Sequence, residues 1–325
     1  MENRESETYP GFYKNGCLLA TLAYTIWGIF PLYWKLLESV DHSEILAYRI
    51  IFVALFFMSL TVLTAGKGIF IQLKSVMPAG PKLALSAALI GSNWFIYLRA
   101  VNSGRVLESS LGYYMAPLMS VFLGRVVLGE RLSHTSKTAV GLALLGVMML
   151  AYMAGSVPYL AIGLALTFST YGLIRKQIAL PPLAASLAES LILFPFALGF
   201  LVFSGRPEIY THTPFEYLLL VLGGVVTGVP LLLFAGAAKR LPLATLGFLQ
   251  YLTPTLQILL AVFFYGEVFS KAHLMGFGLI WLGLAVYLAG LWLSRRKSDI
   301  NKLSYFTVDE AIPLWPKSLV RNCKS

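Results

Sequence analysis

Residues 243–267 read LATLGFLQYLTPTLQILLAVFFYGE, and no charged side chain interrupts them before Glu267. A helix crosses the ~30 Å hydrocarbon core of a bilayer in about 20 residues. This run is long enough to do so as one helix. Nine other stretches are comparably long and apolar, at about 15–34, 45–65, 82–101, 106–127, 135–153, 157–174, 184–203, 215–238 and 272–293. They are continuous rather than alternating, which excludes a membrane barrel. The expected fold is therefore an all-α integral membrane protein of ten transmembrane helices. Composition agrees: 58% of the 325 residues are hydrophobic and 12% charged, where a soluble domain carries about 25% charge.

Placement of the basic residues sets the expected orientation. Lysine and arginine favour the cytoplasmic side of a membrane. With the N-terminus inside, most of the 25 lysines and arginines fall on that side, whereas Lys35, Arg49, Arg99, Arg105, Arg206 and Lys271 fall on the other. Both termini are then cytoplasmic. The net charge of +10 follows from topology, not from a nucleic-acid partner. The chain divides into a short cytoplasmic segment, 1–14, membrane portions 15–153 and 157–293, and a basic cytoplasmic tail, 294–325, that opens with Arg295-Arg296-Lys297.

The opening stretch has a counterpart earlier in the chain. Shifted by 137 residues, Pro117 meets Pro254, Gly129-Glu130 meets Gly266-Glu267 and Gly141-Leu142 meets Gly278-Leu279. In all, nine of 30 positions are identical. Upstream the best shift falls to 135, pairing Leu111-Gly112 with Leu246-Gly247, so a two-residue length difference lies between. The repeat divides ten helices into five and five. An odd number of helices per copy forces the copies into opposite orientations, and such inverted repeats let one site open alternately to each side of a membrane.

The stretch Asn93-Trp94, Ala100-Val101-Asn102, Glu108, Ser110-Leu111-Gly112-Tyr113 and Gly129-Glu130-Arg131-Leu132 resembles the RarD group of the EamA-type transporters, in the drug/metabolite transporter superfamily. Trp27-Gly28, Glu44 with Arg49, Tyr171-Gly172-Leu173, Glu189 and Gly247-Phe248-Leu249-Gln250-Tyr251 carry the resemblance further. It extends over roughly residues 14–295. It implies two inverted five-helix repeats, residence in the bacterial inner membrane, and export of small metabolites or drugs. One departure is Ala116, where that family often has Asn before the proline.

Candidate site residues are polar groups that a bilayer would not hold without cause. A charge at the membrane centre costs ~2.5–3.5 kcal/mol on insertion scales. Lys35, Glu44 and Arg49 form one expected cluster, at the outer mouth of a substrate path. Glu189 lies one turn into its helix, within reach of Arg175 or Lys176 across a short loop, and is the candidate carrier of a coupling proton. Asn93, Tyr113, Tyr114, Gln250 and Tyr251 are the expected uncharged contacts at mid-membrane, with Trp94 stacking on a planar substrate. Glu130 reads as structural, pairing with a base or capping a neighbouring helix. Pro117 and Pro254 are expected to make paired helix kinks at gates, because proline frees a carbonyl one turn earlier.

No metal-ligand spacing, cofactor motif or nucleophile–base set is present, so an enzyme is disfavoured. The favoured function is a secondary transporter working by alternating access on a small molecule, with a proton as candidate coupling ion. It needs no oligomer and no partner beyond the lipid bilayer. The alternative is a channel or a non-transporting membrane partner. Against a channel, helix one has no polar stripe, and helices nine and ten have little of one.

Overall fold

The computed structural model describes residues 10–65, 79–102, 106–153, 158–204, 212–264, 274–291 and 293, and among these it is helical with no strand. Segments 1–9 and 294–325, Arg105, the side chain of Glu108, and Glu267 lie outside the described residues. The helices are α1 (Pro10–Lys35), α2 (His42–Ala65), α3 (Gly80–Asn102), α4 (Val106–Val126), α5 (His134–Met153), α6 (Tyr159–Gln177), α7 (Pro182–Phe203), α8 (Pro214–Ala238), α9 (Leu243–Gln250) and α10 (Leu252–Phe263). They are followed by α11 (Leu274–Leu291).

Among the described residues, seven spans are long and apolar enough to cross a membrane: α1, α2, α5, α7, α8, the α9–α10 run and α11. Helices α3, α4 and α6 run 23, 21 and 19 residues but carry more polar groups, among them Asn93, Tyr113 and Arg175. Those three side chains are turned inward. Outward, the solvent of this fold is hydrocarbon: Leu63, Phe196 and Phe203 are 82%, 73% and 87% exposed, which only lipid makes tolerable.

The stretch 243–263 is not one regular helix. It breaks at Tyr251, whose N–H bonds Phe248 O at 3.3 Å in a tight turn, and regular pairing resumes with Thr255 N–H to Tyr251 O at 3.1 Å. Pro254 explains the position. It has no N–H to give to Gln250 O, and its ring crowds that carbonyl. The kink expected at Pro254 coincides with this one-residue interruption, at which Tyr251 keeps right-handed helical dihedrals (φ −59°, ψ −17°). Pro117, by contrast, lies inside α4 without interrupting it.

Glycines bring helices into close contact. A Cβ on Gly224 would stand 2.5 Å from the Phe52 backbone, and one on Gly228 2.5 Å from the Phe56 ring. This small-xxx-small face of α8 seats α2, because lipid tails give helices no hydrophobic drive and close backbone approach must supply the attraction. A Cβ on Gly247 would stand 2.7 Å from Pro117 O, so α9 lies directly on α4.

Buried Glu130 caps α9. Its carboxylate accepts from Leu243 N at 2.6 Å and Ala244 N at 2.9 Å, two of the N–H groups that a helix start leaves unpaired. The negative charge also sits favourably at the positive end of the helix dipole.

The two ends of the bundle differ in charge. At one, Lys82, Arg175, Lys176 and Lys239 converge, and burial together with these neighbours lowers the Lys239 pKa below the usual lysine value. At the other, Ser39 Oγ donates to Glu216 Oε1 at 2.5 Å, and Thr213 and Glu216 close a capping box on α8.

Candidate functional site

A central cavity of about 120 Å³ opens where α1–α4 meet α6 and α8–α10. A buried water needs ~10–15 Å³ by this kind of measure, so the space admits a small molecule. Its walls are aromatic. From α1 come Tyr24, Trp27 and Trp34, and from α6 comes Phe168. Trp27 meets Phe168 edge-to-face at 5.7 Å between centroids, within the range favoured by ring quadrupoles.

Among the described residues, Arg49 of α2 is the one formal charge on the wall. Its guanidinium lies over Trp94, 4.1 Å from the ring centroid, and 5.7 Å from that of Trp34. A desolvated cation–π contact of this kind is worth ~2 kcal/mol. Tyr97 and Tyr113 stand within electrostatic reach. Its Nε is shut off from solvent and has no hydrogen-bond partner among the described residues.

Asn93 lies beside it, and is buried. Its amide nitrogen donates to Leu164 O at 3.0 Å and to Thr167 Oγ1 at 2.9 Å, which ties α3 to α6. Both amide hydrogens are used this way, and the carbonyl oxygen remains as an acceptor. On the far wall Gln250, Thr253 and Gln257 lie one below another, and Gln257 donates to Trp27 O at 3.3 Å. This is a polar stripe at helical spacing on the α9–α10 run, where the sequence shows little sign of one. Thr253 itself donates to Tyr24 O at 2.8 Å, which ties α10 to α1.

A smaller cavity of about 20 Å³ adjoins the first and shares Ile90, Trp94 and Leu231 with it. On its wall Glu189 of α7 forms a buried ion pair with Arg175 of α6 at 3.0 Å. Ser86 of α3 donates to Glu189 Oε1 at 2.5 Å, Tyr171 donates to Oε2 at 3.5 Å, and Arg175 also donates to Ser186 Oγ at 3.0 Å and Pro182 O at 3.2 Å. The network cross-links three helices. Of the two bases considered in the sequence, Arg175 takes the carboxylate, while Lys176 donates to Leu241 O at 2.7 Å.

The structure brings together Arg49, Asn93, Trp94, Tyr113 and Gln250 at the cavity, with Glu189 next door. It separates the expected cluster of Lys35, Glu44 and Arg49. Lys35 pairs with Glu38 at 3.2 Å on the exposed rim. Glu44 is buried against His212 at 2.9 Å. Arg49 alone turns to the cavity, because a position five residues past Glu44 is about 140° around the helix from it. Tyr114 and Tyr251 turn away as well. They face one another, ring centroids 6.5 Å apart, in a core cluster with Phe277.

Comparison with known proteins places this architecture. The family profile described as "EamA-like transporter family" matches residues 14–152 and again 156–289, and the chain belongs to that family. An uncharacterized transporter of Pseudomonas aeruginosa is 44% identical over 288 residues, 87% of this chain and 96% of that one. Protein RarD of Salmonella typhi is 43% identical over 291 residues, covering 87% and 98% respectively. A solved crystal structure has the same fold, with TM-score 0.66 at 22% identity, covering 83% of this chain and 96% of that chain. The chain is thus a multi-pass inner-membrane protein of a transporter family, similar to RarD proteins.

Proposed function

We propose that this protein is a secondary transporter that exports a small molecule by alternating access. In this reading ten spans form two inverted five-helix repeats, the α9–α10 run counting as one, and both termini are cytoplasmic. The observation that carries the reading is the central cavity, to which α1–α4 of the first half and α6 and α8–α10 of the second contribute. A site built from both halves can change access when the halves rock. The two successive family matches support the repeat. The convergence of Lys82, Arg175, Lys176 and Lys239 at one end supports that end as cytoplasmic.

Proton coupling is assigned to Glu189, the buried carboxylate on the adjoining wall. The test is flux of a mixed metabolite panel in liposomes with and without an imposed pH gradient. Gradient-driven flux in the parent that falls at least tenfold in Glu189→Gln is expected. Flux that keeps its gradient dependence in the variant removes Glu189 from coupling. A linear, unsaturable flux would point to a channel and sink the carrier reading.

A further inference from the structure

The transport reading leaves the substrate open, and Arg49 narrows it. Resting on that reading, we infer that the central cavity takes an organic anion: a carboxylate carried on a planar, aromatic body.

A guanidinium stays charged at any physiological pH, and one inside a membrane protein normally has a partner. Among the described residues no aspartate or glutamate lines this cavity. The buried carboxylates described around it are already engaged: Glu189 by Arg175, Glu44 by His212, and Glu130 by the α9 N-terminus. Trp94 covers a face of the Arg49 guanidinium at 4.1 Å. Stacking uses the π face and leaves the in-plane N–H fork, which matches a carboxylate in two parallel hydrogen bonds. The orphaned Nε belongs to that fork. Among the described residues the cavity has a fixed cation and no counter-ion, so the ligand brings the negative charge.

The rest of the wall describes the body of the ligand. Trp27, Trp34 and Phe168 offer apolar rings to a flat molecule. This surface suits an aromatic acid and not a strongly hydrated inorganic ion. The free carbonyl of Asn93 faces the same chamber as an acceptor, which suits a ligand with one hydroxyl or N–H donor.

The test is calorimetric titration of the purified full-length protein with 4-hydroxybenzoate and phenylacetate, each beside its amide, and with inorganic phosphate. The acids are expected to bind at least tenfold more tightly than the amides, and phosphate not to bind. Arg49→Gln is expected to abolish the acid–amide difference, and Arg49→Lys, which keeps the charge and loses the planar fork, to retain part of it. If Arg49→Gln fails to fold, Arg49→Lys carries the test. Acids and amides that bind alike in the parent, acids that do not bind, phosphate that competes with them, a preference that survives in Arg49→Gln, or one left undiminished in Arg49→Lys each overturn the assignment. Liposome flux separates the two readings. Acid binding without flux would sink the transporter and leave the anion site, and flux of the amides alone would do the reverse.

Discussion

Two spans that align in the sequence are built differently. Pro117 sits in an unbroken α4, Val106–Val126, whereas Pro254 follows a break at Tyr251 between α9 and α10. The cavity side is nevertheless the same. In the 137-residue register Tyr113 matches Gln250, and both line the cavity. Tyr114 matches Tyr251, and both pack in the core behind it. Gly112 matches Gly247 only in the other register, so Phe248 and Leu249 are extra in the second copy. Two residues turn a helix by about 200°, and the glycine contacts differ accordingly: Gly112 packs on Ala161 and Leu164 of α6, Gly247 on Pro117 and Ser120 of α4. Between the two aligned spans the face that meets the cavity is kept and the face that meets the neighbouring helices is altered. The helical interruption at Tyr251 lies two residues past Leu249.

The comparison breaks most severely at Glu130. If the second span depends on an outside cap, Glu130→Ala lowers stability by about 3 kcal/mol, since a hydrogen bond to a charged group is worth ~1.5–3 kcal/mol. Thermal unfolding of the purified protein measures this, and Glu130→Gln, which keeps one carbonyl acceptor, should lose about half as much. Next comes the seam between the two spans. Gly247→Ala sets a methyl against Pro117 O, 2.7 Å away, and overpacking of this kind costs about 1–3 kcal/mol; no change in melting temperature would mean that α4 and α9 yield freely. Smaller effects separate the prolines. Pro254→Ala lets the ninth span become continuous and should slow flux about tenfold, ~1.4 kcal/mol in barrier. Pro117→Ala, in a helix already continuous, should change flux less than twofold. Equal effects in the two variants would show that the break plays no part in gating.

Much of this was visible in the apolar runs. The stretch read at 215–238 is Pro214–Ala238, and that read at 184–203 is Pro182–Phe203, since a run of hydrocarbon side chains announces its own ends. Helix α1 starts earlier than its run, at Pro10, because Tyr13 and Lys14 are polar yet stay helical. Arg49, Asn93 and Gln250 were legible for the opposite reason: polar groups stand out in apolar surroundings. Trp27 and Phe168 were not, because an aromatic residue on a cavity wall and one against lipid look the same in a sequence. Nor was the choice between adjacent tyrosines. Tyr113 and Tyr114 differ by about 100° around one helix, and only the position of the neighbouring helices decides which of them meets the cavity.

The cap on α9 also has a history in time. Glu130 and its partner Leu243 are 113 residues apart in the chain. At ~5–20 residues per second of synthesis, roughly 6–23 s separate the emergence of the carboxylate from that of the N–H groups it binds. For that interval the Glu130 carboxylate exists without the two N–H groups it binds in the finished protein. Its partner groups are supplied by a segment the ribosome has yet to make, and α11, later still in the chain, packs on α5 at Gly146 and Gly276, so the bundle cannot close before the last third of the chain is in place.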